Sequence, residues 1–225
     1  MSSAPETAIT AVRVTTTDGA VHVTAVAGLD RVVARGAPIS VDGSTVTVEA
    51  RSDRVRLEVP EGIDLVIGTT SGRVTVEGRV EAVAVTTRSG RVDIDDAAEV
   101  DVRGRSGRLH VGRSRGEARV ITTSGRVVVD RSGPADVTTT SGRIVLRHVA
   151  GTARAHCSSG RIEIAMAEPH DVDAETVSGR IEITLPAGTS ARIDTPGAAS
   201  VVASGAHDCV VTARSGSGRI VVSTR

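Results

Sequence analysis

The chain has 225 residues and a formal net charge of zero, from 27 basic and 27 acidic residues, and it contains no Phe, Tyr, Trp, Lys, Asn or Gln. That balance gives no global pull towards nucleic acid or an acidic membrane surface. The missing residue types exclude an aromatic platform for single-stranded nucleic acid, a ring face for a sugar, a Schiff-base lysine and the lysine of an ordinary phosphate loop.

The N-terminus, Met1 to Thr7, has neither a basic start nor an apolar run, and no stretch is long enough to span a bilayer. The expectation is a cytoplasmic chain with no membrane contact. Residues 9–23 show the first strand pattern: Val12, Val14 and Thr16 point inward, Asp18-Gly19 bends, and Val21 and Val23 resume the inward face. Between residues 28 and 60 the periodicity loosens. Ile39-Ser40-Val41, Asp42-Gly43 and Val46-Thr47-Val48 predict an antiparallel hairpin, and Val55, Leu57 and Val59 predict another alternating strand. The segment is expected to form an irregular cap or lateral flap, since repeat arrays need end units unlike the middle ones.

A repeat then takes over. Ser-Gly-Arg starts at Ser71, Ser89, Ser106, Ser124, Ser141, Ser159 and Ser178, with steps of 17 to 19 residues, and again at Ser217 after 39. Three residues after the serine stand Val74, Val92, Leu109, Val127, Ile144, Ile162, Ile181 and Ile220; five after it stand Val76, Ile94, Val111, Val129, Leu146, Ile164, Ile183 and Val222. Four and six residues before the serine the chain is again aliphatic, from Leu65 and Ile67 to Val211 and Ala213. This alternation predicts two short strands per repeat, joined by a Ser-Gly bend. A unit so short cannot bury its apolar face alone, so successive units must stack. The expected fold is an all-β, single-domain parallel β-solenoid of about ten coils, right-handed as parallel crossovers nearly always are.

The expected organisation is an N-terminal coil and hairpin cap over residues 1–60, the regular solenoid over 61–195, and degenerate and terminal coils over 196–225. The long step before Ser217 predicts a degenerate coil around Ile193, Pro196 and Gly197. The chain stops at Arg225 directly after a strand, leaving an expected open edge that could pair with a second copy.

Stacking would align Arg73, Arg91, Arg108, Arg126, Arg143, Arg161, Arg180 and Arg219 on one outer edge, a ribbon able to grip an anionic polymer. The outward column two places after the arginine holds acids at Asp93, Glu163 and Glu182, too few to neutralise it. The competing reading is a solvated ladder partly paired with these acids. In the same column Val128 and Val145 fall on consecutive coils, a candidate apolar contact patch for a protein partner. Nucleic acid is disfavoured as a partner, and no cofactor or metal is expected. Gly112-Arg113-Ser114-Arg115-Gly116 matches a hydrolase pattern that needs a strand-to-helix turn, and no helix is predicted. His207-Asp208-Cys209 supplies too few ligands for zinc. Cys157 and Cys209 fall in different columns, so both are expected as small interior residues rather than a disulfide. The column serines are expected to bond locally at the bend.

The pattern V-x-V-x-T-x-S-G-R-V-x-V, from Ala11-Val12-Arg13-Val14 to Ser217-Gly218-Arg219-Ile220, resembles the bacterial adhesin-like family DUF4097, of unknown function. Family members often read S-G-D where this chain reads S-G-R. The resemblance implies a β-helix and little about activity. In coil length alone the chain also resembles bactofilins, which are polymers. The resulting expectation is a non-catalytic scaffold or interaction protein that self-associates through its coil ends, with anionic-polymer binding by the arginine ribbon as the alternative. A carbohydrate-active enzyme using Asp95-Asp96 is the third reading.

Overall fold

The computed structural model describes residues 9–51, 54–195 and 208–225. Its strands, in chain order, are β1 (Ala11–Val26), β2 (Val33–Arg35), β3 (Ile39–Asp42), β4 (Thr45–Ala50), β5 (Val55–Pro60), β6 (Asp64–Ser114), β7 (Ala118–Ser132), β8 (Ala135–Val149), β9 (Ala153–Met166), β10 (Val172–Leu185), β11 (Ala191–Asp194), β12 (Cys209–Ser217) and β13 (Ile220–Thr224). The longest, β6, runs unbroken through the Ser71, Ser89 and Ser106 bends and so winds three coils.

The fold is an all-β solenoid. Equivalent residues of successive repeats face one another in parallel register, as Ser124, Gly125 and Arg126 do with Ser141, Gly142 and Arg143. All eight copies of each apolar column before the serine are buried. The two columns after it are also buried, except in the last copy, where Ile220 and Val222 are half-exposed. A further inward column lies seven to nine residues after the serine: Val80, Ala97, Ser114, Ser132, Val149, Met166 and Leu185. The variable step falls in this part of the repeat and hides the column from a fixed-spacing alignment.

The bend explains why the tripeptide recurs. At Gly72, Gly90, Gly107, Gly125, Gly142, Gly160 and Gly179 a Cβ would overlap the carbonyl oxygen of the bend residue one coil before, which is itself a glycine each time. Only a residue with no side chain lets the backbones approach at the strand spacing. Two residues before the serine, the buried Thr69, Thr87, Thr122 and Thr139 each donate their hydroxyl to that serine's carbonyl at 3.3 Å. Cys157 does the same with its thiol at 3.1 Å. The local bonding at the bend is therefore made by the threonine hydroxyl and the serine carbonyl, not by the serine hydroxyl as the sequence suggested.

Both ends depart from simple chain order. The stack runs from the coil of β4 and β5, to β1, through the three coils of β6, then β7, β8, β9 and β10, to the coil of β12 and β13. The described residues make ten coils in this stack, about 45 Å at the usual strand spacing. The first coil in sequence is thus second in space: β1 lies between β4 and β5 on one side and β6 on the other. β4 and β5, expected within a cap or flap, instead pair in parallel with the two halves of β1. The predicted hairpin is present as β3 against β4, with Gly43 at φ +57° in its turn, and β2 covers β5 in the same antiparallel manner.

At the other end Ser178 pairs with Ser217 and Ile181 with Ile220. The 39-residue step is therefore one stacking step, not two. Among the described residues no coil lies between β10 and β12, and β11 instead lies outside β12, pairing Ala191 with Cys209. Pro196, Gly197 and His207 lie outside the described residues.

Candidate interaction surfaces

The arginine ribbon forms as the repeat dictates, with Arg108, Arg126, Arg143, Arg161 and Arg180 in consecutive register. Acids hold part of it. Arg91 pairs with Asp93 at 2.8 Å, and Arg180 with Glu182 at 3.3 Å. Glu163 takes Arg143 from the coil before, at 2.6 Å to one oxygen and 2.8 Å to the other, and Arg161 at 3.4 Å. Arg73, Arg108, Arg126 and Arg219 make no ion pair among the described residues. The reordered N-terminal coils add a member that the repeat alone did not show. Arg54 precedes Val55, which pairs with Val21, so it extends the ribbon past Ala20. Arg54, Arg56, Arg73 and Arg91 line a groove of about 640 Å³ with Glu77 and Asp93.

Val128 and Val145 are adjacent, as predicted, but both are half-buried. Larger apolar exposure lies elsewhere. Ile39 and Val41 on β3 are 46 % and 60 % exposed. They stand opposite Val48 and Val46, both fully buried, so they carry the core face beyond the last coil. β3 has β4 as its one strand partner among the described residues. Sequence reading placed this hairpin correctly but could not show that it forms the end of the stack.

The catalytic candidates do not assemble. Ser114 of the hydrolase-like pentapeptide is 2 % exposed and donates to the Glu117 carbonyl at 2.9 Å. Asp95 accepts from the Gly78 amide and Asp96 pairs with Arg115, so the two carboxylates are engaged separately. Asp208 accepts from the Ser190 amide at 2.8 Å. Among the described residues no group of three metal-ligating side chains converges. Cys157 and Cys209 are both free and buried. Burial pushes each thiol above its ordinary value, and Asp171 and Asp208 add to the effect at Cys209.

The family model Toastrack DUF4097 matches residues 3–200, from before the first coil to beyond β11. The chain belongs to this family. Among solved structures it is similar to a "putative cell adhesion protein" from Clostridium sporogenes at 8 % identity, over 98 % of this chain and 95 % of the other, with a TM-score of 0.22. No curated protein matches the chain. In this Toastrack domain the bend arginines form an outward column, and β3 forms an edge of the described sheet.

Proposed function

We propose that this Toastrack domain is a non-catalytic interaction scaffold that associates with a second copy of itself through its coil ends. The observation that carries this reading is the β3 edge. Unpaired backbone donors and acceptors on an edge strand are a template for another strand, and here Ile39 and Val41 offer apolar surface continuous with the core. Light scattering behind a sizing column, across a wide range of protein concentration, tests it. Mass should grow with concentration for the native chain and stay monomeric for Val41→Lys. A constant monomer mass for the native chain removes the reading.

A second reading is favoured by Arg108 and Arg126, adjacent on consecutive coils and without carboxylate partners. In it the ribbon binds an anionic polymer. Salt-dependent retention on heparin, weakened in an Arg108→Gln/Arg126→Gln variant, would support it, and elution indifferent to salt would remove it.

A further inference from the structure

A second basic column stands at the corner where each coil turns towards the next. Six or seven residues after the bend arginine's serine, the chain leaves its in-out alternation, and two consecutive side chains face outward before the inward column resumes. On consecutive coils this corner presents Asp96, Arg113, Arg131 and His148. Arg113 and Arg131 are register partners, as are the buried Ser114 and Ser132 that follow them. With Arg79 and Arg115 they line a groove of about 770 Å³.

The groove exists because the chain shortens at this corner. Between Ser114 and Ala118 the turn holds Arg115, Gly116 and Glu117; between Ser132 and Ala135 it holds only Gly133 and Pro134. Gly133 fills the place of two residues, its amide shared between the carbonyls of Ser114 at 3.3 Å and Gly116 at 3.1 Å. Ala150 and Ala167 continue the floor, their amides bonded to Ser132 and Val149 of the preceding coils. Arg115 on one side and small residues on the next three coils leave a depression with guanidinium groups along its wall. The missing residue also removes a hydrogen bond. Ser114 donates to the Glu117 carbonyl, whereas the hydroxyl of Ser132, 5 % exposed, has no partner among the described residues.

Charge in the groove is one-sided. Its lining carries four arginines and one carboxylate, Asp96, and Arg115 already holds that carboxylate at 3.2 Å. Arg115 is further fixed by the Val80 carbonyl at 2.7 Å. Arg79, Arg113 and Arg131 form no ion pair among the described residues, unlike half of the ribbon at the bend. Arg113 and Arg131, one strand spacing apart (about 4.8 Å), repel each other unless an anion sits between them. A carboxylate matches one guanidinium fork, but a phosphoryl group has three acceptor oxygens and can accept from two forks at once. With no aromatic side chain in the chain, recognition here must be of charge and oxygen geometry, not of a base or a sugar face.

We propose that this corner groove is a binding site for an oligophosphate, an anion with two or more linked phosphoryl groups, bridged by Arg113 and Arg131 and flanked by Arg79 and Arg115. The site is separate from the β3 edge and from the bend ribbon. Calorimetric titration of the full chain with inorganic triphosphate at low salt tests it. One triphosphate should bind per chain, orthophosphate should bind roughly tenfold or more weakly, and Arg113→Gln/Arg131→Gln should lose a similar factor. Arg108→Gln/Arg126→Gln, which alters only the bend ribbon, should leave the affinity unchanged. Ala150→Glu, which puts a carboxylate on the exposed floor without touching the arginines, should also abolish binding. Absence of triphosphate binding to the native chain overturns the proposal, as does equal loss in the ribbon variant. Tighter binding of an oligouronate than of triphosphate overturns the ligand class.

Discussion

Ser178 pairs in parallel register with Ser217, although 39 residues separate them, and this contact seats the last bend of the chain directly on the seventh. The excursion between them places β11 on the outer side of β12. The N-terminus mirrors it, with β1 inserted between the coil of β4 and β5 and the first coil of β6. At both ends the outermost described parallel strands come from the second-last or second segment of the chain: β1 has parallel neighbours on both sides, and β12 lies against β10 and, at Cys209–Thr212, against β11 on its outer side.

Gly125→Ala should be severely destabilising. Its Cβ would overlap the Gly107 carbonyl oxygen, a backbone atom that cannot move without shifting the whole coil. A loss of about 3 kcal/mol or more in a denaturant titration is expected. Gly43→Ala, in an open turn at φ +57° with nothing within 4 Å, should cost only about 1–2 kcal/mol.

Thr139→Val and Thr176→Val should differ although both sites are buried in the same column. Thr139 donates to the Ser141 carbonyl at 3.3 Å, so its replacement removes a hydrogen bond and should cost about 1 kcal/mol. The Thr176 hydroxyl has no partner among the described residues. Removing it should be neutral or stabilising in the same unfolding measurement.

Glu163→Gln should release two arginines at once. Glu163 holds both Arg143 and Arg161, but these arginine side chains are 39 % and 43 % exposed, so solvent screening limits the loss to about 1 kcal/mol or less. If the bend ribbon binds anionic polymer, the same variant should elute later from heparin than the native chain.

The two thiols should react slowly with a thiol reagent in the folded chain and quickly after unfolding. Burial raises both above the ordinary 9.0, so the folded state retains protons that the unfolded state gives up. The stability this contributes is fully present below the unfolded value and is lost as pH rises through it towards the folded one. Thermal unfolding followed at increasing alkaline pH should show that loss, and a Cys157→Ala/Cys209→Ala variant should show less of it.

The eight Ser-Gly-Arg copies and their aliphatic columns are local facts, and by themselves they determine the coil, its inward faces, the glycine stack and the arginine ribbon. Each follows from strand alternation and from the need of a short unit to bury its face against the next. Only the tertiary structure decides the order of the end coils, because parallel pairing rewards equivalent residues wherever they lie in the sequence, and Val12 can pair with Val46 as well as with Leu65. It also decides the place of Arg54 and the corner groove. Arg113 and Arg131 look unremarkable in sequence, and they become a basic wall only when a turn one residue shorter brings Gly133 beneath them.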